Sequence, residues 1–131
     1  RKQVLIIGWG RIGKCLWRLF EAEGSSVTVA ARKDSDRAII SALGSHSISI
    51  QDASCKAENY DIIINTVPVM VLPNLKHKEN AVVLELASKP GMSGDHIWDC
   101  RGLPARMAPE LSGRLIAKTF LRLVLGQEVS V

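Results

Sequence analysis

A glycine-rich stretch near the start of the chain has the spacing of a phosphate-binding loop. Residues 4–7 form a short apolar run, and Gly8, Gly10 and Gly13 follow it as G-x-G-x-x-G. An amphipathic segment begins within the motif, which predicts the order strand, tight turn, helix. Glycine allows the sharp turn at the first position, close approach of a diphosphate at the second and close helix–strand packing at the third. The helix dipole and its free N–H groups would then face the anion.

The other residues of this loop are part of the predicted site. Trp9 lies between the first two glycines, and Arg11 and Ile12 fall in the first turn of the predicted helix. The first N–H groups of a helix have no partner within it, so Arg11 and Ile12 are expected to offer backbone donors to a bound diphosphate.

A basic pair follows the second predicted strand. Residues 27–31 are apolar enough to be buried in a parallel sheet, and Arg32 and Lys33 follow Ala31. NAD-preferring sites usually place a carboxylate about 20 residues beyond the glycines, where it binds the ribose 2′-hydroxyl. A guanidinium at this place would instead bind a 2′-phosphate through two hydrogen bonds. The pair, with Ala31, therefore predicts NADP as the cofactor, with NAD as the alternative; two solvated basic side chains are the non-functional interpretation.

Two further loops should lie at the same edge of the sheet. Ligands of open parallel sheets bind beyond the carboxyl ends of the strands, near the point where strand order reverses. The loops after the predicted strands at residues 61–66 and 81–87 are therefore expected to surround the nicotinamide half of the cofactor. Lys89 is the favoured catalytic candidate by position, since it would orient an anionic substrate or donate a proton, and a solvated lysine is the equally weighted non-functional interpretation. Asp95 and His96 are weaker candidates. The residues predicted in these loops are Asn65, Thr66, Val67, Pro68, Ser88, Lys89 and Pro90.

Alternating strands and helices must position these loops. The apolar pattern predicts an α/β protein with a three-layer Rossmann fold and a mostly parallel, doubly wound sheet of five to six strands. Residues 69–79 are expected to form a short, irregular helical connection. In the helix at residues 34–43, the side chains expected to face the core are Ala38, Ile39, Ala42 and Leu43. Helices are predicted at residues 11–23, 34–43 and 110–125, and strands at 4–7, 27–31, 46–50 (an edge strand), 61–66, 81–87 and 97–100.

Composition narrows the class of protein. A chain of 131 residues with 47% hydrophobic content is expected to form one domain. Its apolar runs are too short to span a membrane. Its three cysteines are widely spaced and form no C-x-x-C, which favours free thiols in a reducing cytoplasm over disulfides. The net charge of +4 is spread along the chain without a nucleic-acid-binding motif, which favours anionic small molecules over nucleic acid as partners. No cluster with the spacing of metal ligands is present, so no metal site is predicted.

The ordered set of motifs resembles the A chain of dipicolinate synthase. The resemblance covers nearly the whole sequence, but only the carboxy-terminal, nucleotide-binding half of that family's chain. Two departures from the family pattern concern the substrate side: the connection over residues 91–100 is shorter, and Ala105 replaces a glycine. The matching segments are GWGRIG at 8–13, TVAARK at 28–33, INTVP at 64–68, LASKPG at 86–91, LP at 103–104, MAP at 107–109 and SG at 112–113.

The resemblance implies an oxidoreductase subunit that converts a dihydrodipicolinate-type intermediate to dipicolinate during sporulation. It also implies a second, flavoprotein-like subunit, and we further expect a homo-oligomer. Residues 1–131 would form an NAD(P)-binding Rossmann domain, one half of a longer subunit, which binds cofactor but lacks turnover on its own. The alternative is a non-catalytic module that senses NAD(P) or another adenine nucleotide. An S-adenosylmethionine site is a third interpretation. An acid at the end of the second strand would favour it, and none is present there.

Overall fold

One parallel sheet organises the part of the chain that the structure describes, residues 1–100 of a computed structural model. Its strands are β1 (Gln3–Ile7), β2 (Ser26–Ala30), β3 (His46–Ile48), β4 (Ile62–Asn65), β5 (Val82–Glu85) and β6 (Ile97–Asp99). Their order across the sheet is β3-β2-β1-β4-β5-β6, and every neighbouring pair is parallel. The order reverses between β1 and β4, as in a doubly wound Rossmann fold. The predicted fold class is confirmed, with β3 at an edge as expected.

Helices connect the strands on both faces of the sheet. They are α1 (Arg11–Ala22), α2 (Asp34–Ala42) and α3 (Ile50–Lys56), and a 3₁₀ turn (Ala57–Asn59) follows α3. Gly24 ends α1 in a left-handed conformation with φ of +84°, which a residue without Cβ adopts at little cost. The predicted helix at 110–125 and the motif segments at 103–104, 107–109 and 112–113, with Ala105, lie outside the described residues.

The core lies on both faces of the sheet. On one face, Val4 and Ile6 of β1 pack with Leu16 and Phe20 of α1. On the other, Leu5 and Ile7 pack in a cluster that contains Ala53 of α3. All four side chains from β1 are fully buried, because helices and loops cover both faces of a parallel sheet. The result is a three-layer arrangement with β1 at its centre.

The inward face of α2 differs from the prediction. Ala38, Ile39, Ala42 and Leu43 are exposed, whereas Ile40 is fully buried. The residues one turn before Ile40, Asp36 and Arg37, are half-buried on the same face. The apolar spacing therefore predicted the wrong rotation of this short helix about its axis. Arg37 lies on the inward side because its guanidinium donates to the carbonyl oxygens of Ala31 and Arg32.

The segment at 69–79 contains no helix, so that prediction was wrong. Pro73 lacks an N–H donor and would interrupt a helix here. The backbone pairs instead with the segment after β5: Val71 and Leu72 donate N–H groups to Gly91 O at 2.9 and 3.0 Å, and Ser93 N donates to Leu72 O at 3.1 Å. Long-range pairing therefore replaces local helical bonds in this connection.

Candidate nucleotide-binding site

A cleft of about 420 Å³ opens at the carboxyl edge of the sheet, beside the switch between β1 and β4. Its walls come from the glycine loop, the end of β2, the first turns of α2 and α3, and the segment after β4. The volume lies within the range of ligand pockets. The lining residues are Gly8, Trp9, Gly10, Ala31, Arg32, Lys33, Asp36, Ile50, Val67, Pro68, Val69 and Val71.

Gly8 and Gly13 are required by close backbone packing. Gly8 has φ of +109°, a conformation that L side chains rarely adopt, and its N–H donates to Ala30 O at 2.9 Å. A Cβ on Gly8 would overlap the hydroxyl of Thr66, and one on Gly13 would overlap the carbonyl oxygen of Gly8. These two glycines therefore allow the strand-to-helix turn that the motif predicted.

Gly10 differs because the space beside it is open. A Cβ placed there would meet no atom within 4 Å, and its φ of −88° is available to any residue. Gly10 is the N-cap of α1 and supplies no side-chain cap, so the N–H groups of Arg11, Ile12 and Gly13 lack intrahelical partners. This open cradle of backbone donors at the positive end of a helix dipole fits a diphosphate. No packing within the described chain explains a glycine at this position.

Two cations meet the cleft at the end of β2. Arg32 and Lys33 are exposed and line it, and Ala31 beside them is buried. Arg37 of α2 supports this turn: its Nη1 donates to the carbonyl oxygens of Ala31 at 2.6 Å and Arg32 at 3.0 Å, and it also forms an ion pair with Asp34. The guanidinium thus holds the backbone that carries Arg32. Sequence analysis missed Arg37, although an Asp–Arg pair at i,i+3 is a recognisable helix signal.

The cleft also contains residues that sequence analysis did not select. Asp36 places a half-buried carboxylate in the same wall as Arg32 and Lys33. The predicted site ended with the basic pair after β2 and so did not include Asp36, which lies in the first turn of the following helix. Ile50, Val69 and Val71 add apolar surface, and no motif signalled them.

The loop after β4 divides between the cleft and its support. Val67 and Pro68 line the cleft, as predicted, whereas Asn65 is fully buried and Thr66 packs beneath the glycine turn. The Thr66 hydroxyl donates to Ile7 O at 2.7 Å, and its N–H donates to the same oxygen at 2.9 Å. Asn65 and Thr66 therefore join β4 to its neighbours and are not among the lining residues.

The loop after β5 packs through Gly91 against the segment after β4, but its exposed residues do not line the cleft. Ser88, Lys89 and Pro90 are exposed and are not among the lining residues. Asp95 and His96 are also exposed and do not line it. The catalytic candidates are therefore not among the residues that line this cleft with the glycine loop.

Trp9 is held by contacts along α1. Its ring meets that of Trp17 edge to face, with centroids 5.6 Å apart, and Lys14 Nζ lies 5.7 Å from the Trp9 ring centroid. Trp17 in turn donates through Nε1 to the Ser45 hydroxyl at 2.6 Å. The Trp9 indole, with these ring and cation contacts, thus borders the glycine loop.

Two properties of residues 1–100 bear on other kinds of function. None of the helices in this range is long and apolar enough to cross a bilayer. Within the same range, His, Cys, Asp and Glu side chains form no group of three or more that could hold a metal ion.

Comparison with known proteins identifies a matching family and a curated relative. A family described as "NADP oxidoreductase coenzyme F420-dependent" matches residues 3–85, the segment from β1 through β5. The chain is also 32% identical over 120 residues to the A chain of dipicolinate synthase from Bacillus subtilis (strain 168), covering 89% of this chain and 40% of that protein. The resemblance drawn from the motifs is therefore confirmed.

Solved structures give the same result. The A chain of dipicolinate synthase from Bacillus halodurans superposes with a TM-score of 0.72 at 30% identity, covering 93% of this chain and 46% of that one. The crystal structure of the Bacillus subtilis A chain gives 0.69 at 28% identity, covering 95% and 46%. The chain thus spans less than half the length of these relatives.

Proposed function

From the premise that the chain belongs to the family described as "NADP oxidoreductase coenzyme F420-dependent", we propose that it is the NADP-binding domain of an oxidoreductase subunit related to the A chain of dipicolinate synthase. NADP is the preferred cofactor and NAD the alternative. In this proposal, residues 1–131 form one nucleotide-binding domain within a longer subunit. The relatives, more than twice as long, motivate that last point.

One observation carries the proposal: an open backbone cradle and a cationic strand end border the same cleft. Gly10 leaves room for a diphosphate at the start of α1, while Arg32 and Lys33 stand at the end of β2. A 2′-phosphate adds about two negative charges, and a guanidinium binds it through paired hydrogen bonds. NADP carries both phosphate groups, whereas NAD carries only the diphosphate.

The chain's own residues would bind and orient the cofactor. Backbone donors at Arg11, Ile12 and Gly13 would hold the diphosphate, and Arg32 with Lys33 the 2′-phosphate. Val67 and Pro68 would bound the part of the cleft beyond β4 and exclude water from it. When bound, a nicotinamide supplies hydride transfer, and the protein's part is to orient the ring and to exclude water from it.

The wider activity follows the relatives. A dihydrodipicolinate-type intermediate would be the small-molecule substrate and dipicolinate the product. A flavoprotein-like second subunit, a homo-oligomeric state, a cytoplasmic location and a role in sporulation belong to the same proposal. The exposed loop at residues 88–90, with Lys89, would complete the substrate side together with parts of the longer subunit, since that loop does not line the cleft.

A second candidate is a nucleotide-sensing module without catalysis. The observation in its favour is that Lys89, Asp95 and His96 all lie outside the lining of the cleft. Binding without an acid or base at the nicotinamide would suit a sensor. Turnover of substrate by the full-length subunit would reject this alternative.

Calorimetric titration with NADPH and NADH tests the cofactor assignment. We expect tighter binding of NADPH, and in Arg32→Ala a selective loss of roughly ten- to a hundredfold in NADPH affinity, from about 1.5–3 kcal/mol of charge-assisted hydrogen bonding. NADH affinity should change little. Equal affinity of the wild-type chain for both nucleotides would reject NADP preference, and no binding of either would reject the proposed function.

A further inference from the structure

A buried carboxylate at the end of β5 lies outside the roles assigned so far. Glu85 is 3% exposed, and its two oxygens accept four N–H groups. Oε1 accepts from Asn65 Nδ2 at 2.7 Å and from Ala87 N at 3.3 Å. Oε2 accepts from Gly91 N at 2.9 Å and Met92 N at 3.1 Å. A buried carboxylate is costly unless it is hydrogen-bonded, and these four donors compensate for its burial.

The contacts of Glu85 lead to the wall of the cleft by two routes. Asn65, its partner in the β4–β5 register, donates to Val67 O at 2.9 Å and accepts from Val67 N at 3.1 Å. Gly91, whose N–H binds Glu85, accepts at its carbonyl from Val71 N at 2.9 Å. Val67 and Val71 both line the cleft. One carboxylate therefore holds the backbone on both sides of this wall.

Close packing makes the arrangement rigid. A Cβ on Gly91 would overlap Asn65 Nδ2 and approach Val67 O closely enough to displace it. The segment after β5 is thus pressed against the loop after β4, and the carboxylate lies between them. A small change in this network must move Val67, Val71 or both, since packed interiors do not absorb displacement.

We infer that Glu85 is a positioning residue, which sets the Val67–Val71 wall of the cleft and so the binding of the nicotinamide half of the cofactor. The inference rests on the proposed function for the identity of the ligand. Glu85 itself is not among the residues that line the cleft, so its effect on a bound cofactor would be indirect. Its effect should be largest on the β4–β5 side, because the hydrogen bonds that connect it to the wall do not reach Arg32 or Gly10.

A carboxylate is needed here and an amide is not equivalent. In Glu85→Gln, one side-chain position becomes an NH₂ group that must face either Asn65 Nδ2 or the N–H groups of Gly91 and Met92. Two donors then oppose each other in a buried site, which costs the hydrogen bonds on that side. The substitution keeps the size of the side chain, so it tests the network without a cavity.

The experiment compares a whole cofactor with a fragment. NADPH and 2′,5′-ADP, which carries the 2′-phosphate but no nicotinamide, are titrated into the 131-residue wild-type chain and into Glu85→Gln. We expect NADPH affinity to fall roughly tenfold, as displacement of a binding surface does, and 2′,5′-ADP affinity to stay within about twofold. Asp61→Asn is the matched control: it removes a carboxylate that accepts from Gln3 N and Lys78 Nζ just before β4, at the opposite end of that strand. It should change neither affinity.

A ligand-free measurement separates this inference from the proposed function. The methyl NMR signals of Val67 and Val71 should shift in Glu85→Gln and stay in place in Asp61→Asn. Unmoved signals, or equal losses for NADPH and 2′,5′-ADP, would overturn the positioning role. Failure of the wild-type chain to bind NADPH would instead reject the proposed function.

The wild-type chain provides a test that needs no variant to fold. Amide exchange at Gly91 and Met92 should slow when NADPH binds and stay unchanged with 2′,5′-ADP. Equal slowing by both ligands would contradict a link to the nicotinamide half.

Discussion

Replacing Gly10 by valine should separate nucleotide binding from folding. A Cβ at Gly10 would enter open space, and its φ of −88° and ψ of −163° suit a β-branched residue. The new side chain would therefore project into the cradle at the start of α1. No contact within the described chain would be lost.

The expected changes in stability and in NADPH affinity for Gly10→Val both follow from the structure. Valine is a poorer N-cap than glycine, at a cost of up to about 1 kcal/mol, while the lower entropy of the unfolded chain offsets about 0.4–1 kcal/mol. The melting temperature should thus move by less than about 4 °C. Loss of two charge-assisted N–H contacts to a diphosphate removes about 3 kcal/mol or more, so NADPH affinity should fall roughly a hundredfold.

Thermal unfolding and calorimetric titration of the same samples measure the two quantities. Gly24→Ala is a matched control, because its φ of +84° makes the substitution cost about 1–2 kcal/mol and its position at the end of α1 is remote from the cradle. It should lower stability and leave affinity unchanged. Retained NADPH affinity in Gly10→Val would refute the cradle, and an unfolded Gly10→Val chain would refute the open space beside it.

Two further predictions concern carboxylates. Asp36→Asn should raise NADPH affinity about two- to fivefold and NADH affinity less, because it removes a negative charge from the wall that contains Arg32 and Lys33. Titrations at low salt measure both affinities. A loss of NADPH affinity would show instead that Asp36 orients those cations. The pKa of Asp61 is lowered, mainly by the hydrogen bond from Gln3 N and next by Lys78. The contribution of this carboxylate to the stability of the fold is therefore present above the unfolded pKa and is lost as the pH falls through the folded pKa. Asp61→Asn should therefore cost about 1 kcal/mol in urea unfolding at pH 7 and progressively less below about pH 4; a difference independent of pH would contradict this.

The glycine loop and the sheet could be predicted because their signals are local. An apolar strand followed by G-x-G-x-x-G specifies its own turn, and the structure places Gly8 and Gly13 against backbone or side-chain atoms and Gly10 beside open space. Continuous apolar strands predicted a parallel sheet covered on both faces, and the core is built that way.

The parts that were missed depend on contacts between distant residues. The rotation of α2 follows from Arg37 reaching the carbonyls after β2, which apolar spacing does not record. Residues 69–79 pair with the segment after β5, and Glu85 joins residues up to 20 positions away. Residue type gave no reason to separate Glu85, at the end of a strand, from an ordinary exposed acid.

Two charged side chains of opposite sign support the two ends of the cleft. After β2, the turn presents carbonyl oxygens, and the cation Arg37 binds those of Ala31 and Arg32. After β5, the turn presents N–H groups, and the anion Glu85 binds those of Gly91 and Met92. Each charge matches the backbone groups that its turn leaves without partners, and neither side chain lines the cleft. Because the two supports share no contact among these bonds, substitutions on the β2 side should alter recognition of the 2′-phosphate, and those on the β5 side recognition of the nicotinamide. Because the two supports are independent, titrations with NADPH and with 2′,5′-ADP can distinguish a substitution on the β2 side from one on the β5 side.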